Sequence, residues 1–243
     1  EDDETCFLSV GFCYFDVPYI TGLLRELPQY ETEHQAGGYI VRWKPAVKGR
    51  KYCLGCDTSE GLPGCDPNGV GILDFETGEQ VAAAHGLFSL RQLAAVVAQL
   101  HKEYNNALIG IERENHGHAI LQAVTDLGLG TPHHHGGPLY YFTPARERGR
   151  TREDVGKRSG WSTNAATRPV MLAELAEAVH TGAMPVHDKT FLGECLSFRL
   201  QSDGQYRADS NAHDATIMKW AIAWQMRKAP RPRPSIVVLE GTI

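Results

Sequence analysis

Three carboxylates in this chain stand where an element ends or begins, a place where a side chain can serve chemistry without disturbing a core. Asp57 closes the run from Cys53, in which strand alternation puts Cys53, Gly55 and Asp57 on one face just ahead of a Gly-rich loop. Glu112 follows the continuous apolar run Ala107 to Ile111, so a charge sits at the exit of a buried strand. Asp214 opens an amphipathic helix in the string Asn211-Ala212-His213-Asp214-Ala215. Carboxylates are hard oxygen ligands, and three of them from separate elements could hold two divalent cations about 3.5–4 Å apart, the arrangement that activates a water and stabilises a leaving oxygen in phosphodiester hydrolysis. Each acid also has a plainer reading: Asp57 as a loop starter, Glu112 as a salt-bridge partner, Asp214 as a helix cap favoured by the helix dipole.

Other residues are weighed beside these acids. His116 and His213 each lie close in sequence to one of them, where an imidazole orients a ligand, shuttles a proton or is simply structural. Arg146, Arg148, Arg150, Arg152, Lys157 and Arg158 crowd one segment, with Arg168 soon after, which points to phosphate contact; Glu147, Glu153 and Asp154 dilute that charge toward an ordinary solvated loop. Cys53 and Cys56 form a CxxC, but residues three apart on a strand face opposite ways, which argues against zinc. His133, His134 and His135 read as an exposed turn, and Trp161, Trp220 and Trp224 as core rather than base-stacking residues. Arg227 to Arg233 form a basic tail, read either as a DNA contact or as a solvated end.

The elements that must position the acids follow from hydrophobic rhythm. A strand through Lys51 to Asp57 is followed by Val70 to Phe75, a hairpin turn over Asp74 to Glu79, and a return strand to Ala84. Ser89 caps a helix whose Leu93, Val96, Val97 and Leu100 recur at helical spacing, and Ala107 to Ile111 is the next strand. Helices are expected over His118 to Leu127, Pro169 to His180 and His213 to Arg227, with strands near Leu139 to Phe142 and Cys195 to Leu200. Residues 1–45 carry no sustained rhythm and read as a connecting segment; Pro230, Pro232 and Pro234 end regular structure. No repeat or low-complexity tract interrupts this single α/β pattern.

Composition bounds the rest. At 243 residues, 42% hydrophobic and 22% charged, the chain holds one main domain with extensions. Its net charge of -5 does not advertise a nucleic-acid partner, so any such partner must be argued from local charge. No apolar run is long enough to span a bilayer, and the first residues are acidic where a secretory signal is basic. Six scattered cysteines do not make a disulfide framework and fit a reducing cytoplasm.

Several strings together resemble a known family. Gly55-Cys56-Asp57-Thr58-Ser59-Glu60-Gly61, Ile111-Glu112-Arg113-Glu114-Asn115-His116-Gly117 and His213-Asp214 occur in the order seen in bacteriophage terminase large subunits, joined by Leu139-Tyr140-Tyr141, Gly160-Trp161-Ser162-Thr163-Asn164, Thr167-Arg168-Pro169 and the stretch Glu194 to Phe198. The likeness is to their C-terminal nuclease and spans residues 46–227. It implies an RNase H-like fold, a central mixed β-sheet flanked by helices. It further implies Mg²⁺ or Mn²⁺, as two ions, held by Asp57, Glu112 and Asp214 with Asp66 as an additional acid, and endonucleolytic cutting of concatemeric double-stranded DNA with little sequence specificity. The partners it implies are an ATPase motor domain, a portal and a small terminase subunit, in the cytoplasm of an infected bacterial host.

Two departures qualify the resemblance. Ala215 follows Asp214 where many members carry a second aspartate, which weakens the expectation of a second ion. No GxxxxGK[ST] phosphate loop occurs, and Gly156-Lys157-Arg158 has an arginine where the motif needs a hydroxyl. The division expected is therefore 1–45 as a linker resembling the end of the motor, 46–229 as the nuclease domain and 230–243 as a C-terminal tail, with no translocation activity of its own. Two alternatives stay open: a non-catalytic module that docks DNA or the portal, and another RNase H-like nuclease such as a junction resolvase or transposase.

Overall fold

The computed structural model describes residues 13–59, 61, 66–114, 116–142, 158–201, 203–209 and 213–229. In chain order the elements are α1 (Val17–Glu26), β1 (Thr32–Gln35), β2 (Gly38–Arg42), β3 (Tyr52–Asp57), β4 (Asn68–Asp74), β5 (Gln80–Gly86), α2 (Leu90–Glu103), β6 (Leu108–Ile111) and α3 (Gly117–Val124). There follow β7 (Tyr141–Phe142), β8 (Arg158–Ser159), α4 (Thr167–His180), α5 (Lys189–Ser197), β9 (Phe198–Leu200), β10 (Tyr206–Ala208) and α6 (Ala215–Met226).

Six strands form one sheet in the order β1-β2-β5-β4-β3-β6. Every pairing is antiparallel except β3 with β6, which run parallel with Cys56 opposite Ile111. A parallel neighbour needs a crossover, and α2 supplies it. The turn between β4 and β5 is set by Asp74, whose Oδ1 accepts the amides of Glu76 (2.9 Å) and Thr77 (3.0 Å) while Arg50 holds its other oxygen at 2.8 Å.

Because β3 and β4 are covered on both faces, their residues are buried almost throughout. Cys53, Leu73 and Ala83 face one core with α4, α5 and α6; Leu54, Cys56, Val70 and Ile72 face the other with α2 and α3. Cys53 and Cys56 thus lie in different cores, as the strand period requires, and burial pushes the Cys53 thiol up to about 12. On α2, Leu93, Val96, Val97 and Leu100 are all buried, each contributing roughly 1.5–3 kcal/mol. Its start is closed by Ser89 and Gln92, with the Ser89 amide donating to Gln92 Oε1 at 2.8 Å.

Against the other face, α6 lies close to the sheet backbone. A Cβ on Gly55 would stand 2.1 Å from the Lys219 carbonyl oxygen, and one on Gly71 2.7 Å from the Trp220 ring. Glycine is what lets helix and sheet approach this closely. Trp220 is fully buried there, Trp161 is 9% exposed, and Trp224 is half-buried under the Arg227 guanidinium.

Three elements differ from the sequence-based expectation. The stretch read as a connecting segment through residue 45 contains α1 and a β1–β2 hairpin that extends the sheet along β5. An edge hairpin carries polar residues on its open side, and only Ile20 of α1 is buried, so neither produces a sustained apolar rhythm. Cys195, expected in a strand, belongs to α5, and the strand there is confined to Phe198–Leu200. The helix expected over His118 to Leu127 begins one residue earlier, and after Val124 widens into a π-turn, Thr125–Leu129, broken at Gly128 (φ 84°).

Candidate active site

The parallel pairing of β3 and β6 brings their C-terminal ends side by side, and the residues just there are Asp57 and Glu112. The Glu112 amide donates to the Cys56 carbonyl at 2.9 Å, continuing the ladder past β6, while Glu112 pairs on its other side with Trp161. Glu112 is 8% exposed and Asp57 half-buried. When one of them is protonated, the two carboxyl groups hydrogen-bond to each other. Burial, then the Glu112 charge and that hydrogen bond, then Asp214, hold Asp57 well above the usual carboxylate range against a lowering contribution from the Thr58 amide.

Asp214 arrives from a different direction, at the residue before α6. Burial raises its pKa; Arg168, with Nη2 at 3.4 Å from Oδ2, opposes this, and Asp66 and Glu112 add to it. Arg168 also donates through Nη1 to the Tyr206 carbonyl at 2.8 Å, tying the β9–β10 hairpin to the site. Asp66 is the outermost of the four acids, largely exposed, and its Oδ1 lies 2.6 Å from Nδ1 of His213. Asp57, Glu112, Asp214 and Asp66 therefore form a chain of mutually repelling carboxylates at one end of the sheet.

Crowded, partly buried like charges call for a cation or protons. The donor set is carboxylate oxygen with one imidazole nearby, which suits a hard divalent ion rather than a thiophilic one. As they stand, no three His, Cys, Asp or Glu side chains among the described residues are drawn together tightly enough to hold a metal ion.

The remaining expected residues are placed as follows. His116 is exposed at the start of α3, on the loop leaving Glu112. Arg158 is exposed on β8, opposite Phe142 of β7. Arg168 is engaged by Asp214 and Tyr206, as above. Arg146, Arg148, Arg150, Arg152 and Lys157 lie outside the described residues.

Two further acids support the site. Glu114 accepts from Ser162 Oγ (2.8 Å) and the Thr163 amide (3.0 Å), fixing the strand-like segment beside Glu112. Glu194 of α5 accepts the amides of Thr216 (2.8 Å) and Ile217 (3.3 Å) at the start of α6, and the Thr216 hydroxyl. Only the stretch Glu194 to Phe198 touched this region in sequence, and no spacing rule links residue 194 to residue 216.

Three antiparallel strands, a crossover helix and a fourth strand parallel to the first, flanked by helices, define an RNase H-like fold. Solved structures sharing it are phage large terminase nucleases. The large terminase nuclease from thermophilic phage G20c with bound magnesium superposes with a TM-score of 0.61 at 18% identity, over 85% of this chain and 96% of that one. The same nuclease with bound cobalt gives 0.59 at 19% over 85% and 96%, and the Thermus phage P74-26 large terminase nuclease domain 0.59 at 18% over 88% and 98%. No protein-family model and no curated protein matches the chain. Among the described residues no helix is long and apolar enough to cross a membrane.

Proposed function

We propose that this chain is a divalent-metal-dependent endodeoxyribonuclease of the viral packaging terminase type, cutting concatemeric double-stranded DNA with little sequence preference. The observation that carries this reading is the convergence of Asp57, Glu112 and Asp214 at one end of the sheet, with Asp66 beside them. Asp57, Glu112 and Asp214, joined by Asp66, are the ligands for Mg²⁺ or Mn²⁺; Ala215 leaves the second of two ions with one acid fewer. When bound, such ions lower the pKa of a water and neutralise charge on the phosphate and leaving oxygen.

The chain's own groups do the rest. Asp57, held well above the usual carboxylate range by burial and by Glu112, would give up its proton more readily once a cation is bound. With its Nδ1 on Asp66, His213 keeps Nε2 to exchange a proton with water. Arg158, Arg168 and the basic cluster from Arg146 to Lys157 supply phosphate contacts, which read backbone rather than base edges. In this reading residues 46–229 are the nuclease, with α1 and the β1–β2 hairpin packed onto it, and a motor domain, portal and small subunit are its partners in the host cytoplasm.

The test is digestion of supercoiled plasmid with Mn²⁺, with and without chelator, by the wild type and Asp57→Asn. Cutting by the wild type alone, abolished by chelator, is expected; equal cutting by the variant or in chelator rejects the assignment. A wild type that binds DNA without nicking it favours a docking module, and strong preference for branched over linear DNA favours a junction resolvase.

A further inference from the structure

Among the described residues, three helices begin directly after an aspartate: Asp16 before α1, Asp188 before α5 and Asp214 before α6. The first two behave as aspartates at that position do, turning the carboxylate back onto the first turn of the helix. Asp16 accepts the Tyr19 amide at 2.9 Å. Asp188 accepts those of Thr190 (3.0 Å) and Phe191 (3.2 Å), two and three residues on. Asp214 makes no such bond. The amides two and three residues beyond it, Thr216 and Ile217, are taken by Glu194 Oε2, together with the Thr216 hydroxyl.

We propose that Glu194 is a positioning residue: by occupying the N-terminal donors of α6 from a neighbouring helix, it prevents Asp214 from capping its own helix and leaves that carboxylate facing Glu112, Asp66 and Arg168. This rests on the reading of Asp214 as part of the active site.

The arrangement is costly in both places. Glu194 is 8% exposed, and burial pushes its pKa up to about 7 even though the Thr216 donors and Lys219 pull it down. Asp214 is raised by burial and by Asp66 and Glu112. A self-capping Asp214 with an apolar residue at 194 would remove both costs, since one carboxylate would serve the helix dipole and none would be buried. The structure keeps two acids where one suffices for the helix, and the second is thereby available to the site.

A double-mutant cycle of thermal melts on metal-free protein tests this, using Glu194→Met and Asp214→Ala. In the wild-type background Asp214→Ala leaves Tm unchanged or raises it, because the residue removed caps nothing. In the Glu194→Met background Asp214 recovers the cap, so Asp214→Ala lowers Tm by roughly 2–4 °C. The same effect of Asp214→Ala in both backgrounds overturns the proposal. Should Glu194→Met not fold, Glu194→Asp, too short to reach Thr216, replaces it in the same cycle.

Calorimetric Mn²⁺ titration gives a second readout. The Glu194→Met protein binds about tenfold more weakly or worse, whereas Glu194→Gln, whose amide oxygen still accepts from Thr216 and Ile217, stays close to wild type. Equal weakening by both overturns the positioning role. The melting cycle uses neither metal nor DNA, so a positive cycle with a wild type that fails to cut rejects the nuclease reading while leaving the capping exchange intact.

Discussion

The carboxyl groups of Asp57 and Glu112 meet at the adjacent ends of two parallel strands, close enough to raise the Asp57 pKa. Two acids in that relationship cannot both ionise cheaply without a cation between them. Asp57→Asn is therefore expected to leave the metal-free Tm unchanged or higher, because a repulsion is removed and the amide still hydrogen-bonds Glu112. The wild type should gain stability as Mn²⁺ is added, by about 2.7 kcal/mol at a hundredfold excess over Kd and with a matching rise in Tm, and the variant should not. An identical Mn²⁺-induced gain in both would show that Asp57 is no ligand.

The contribution of three acids to metal-free stability should fall as pH rises from about 4.5 to 7. Asp57, Asp214 and Glu194 all have raised folded-state pKa values, Glu194 about 7, so in that window each holds its proton more firmly in the folded protein than in the unfolded chain, while His85, pushed down to about 4 by burial, and His101, also lowered by burial, act in the opposite sense below about pH 6.5. The stabilising contribution of the acids is full below the unfolded carboxylate pKa and is lost as pH climbs through the folded values, with a slope of up to about 1.4 kcal/mol per pH unit for each group. Chemical denaturation in chelator across this range measures it. Glu194→Gln should flatten the upper part of the curve, and an unchanged curve would remove Glu194 as a contributor.

Lys219 is 1% exposed in its side chain and stands 2.9 Å from Asp188 Oδ2, which also accepts Trp220 Nε1–H at 2.9 Å. Lys219→Met should cost roughly 3–5 kcal/mol, because it leaves a buried carboxylate without its counter-charge. Adding Asp188→Asn to that variant should recover part of the loss. If Lys219→Met melts like the wild type, the pair is not a structural element.

Gly55→Ala should move α6 away from the sheet, since the new methyl would lie 2.1 Å from the Lys219 carbonyl oxygen. Overpacking of this kind costs about 1–3 kcal/mol, and Asp214 is displaced from Asp57 along with the helix that carries it. Cutting should fall much further than stability does. Full cutting by a folded Gly55→Ala protein would mean that the helix tolerates the shift.

What could be read in the sequence depended on whether a residue's role is local. Asp57 and Glu112 end apolar runs, and α2 advertises itself through the Ser89–Gln92 cap and its buried stripe. The resemblance of short strings then grouped Asp57, Glu112 and Asp214, which no periodicity could have done. Glu194 escaped because its partners lie on another helix and its contact depends on how α5 crosses α6. The β1–β2 hairpin escaped because its edge strand β1 is polar throughout and β2 offers only the short run Tyr39-Ile40-Val41, too brief to set a rhythm.

The single parallel pairing in the sheet has a consequence for when the protein becomes dangerous to DNA, under the proposed function. β3, β4 and β5 follow one another along the chain as antiparallel neighbours, but β6 reaches β3 only after α2 has been laid across the sheet. Until then Asp57 stands alone and Glu112 has nothing to meet. Under that reading, a copy in which the crossover fails keeps Asp57 and Glu112 apart and lacks the pair of acids that would hold a cation.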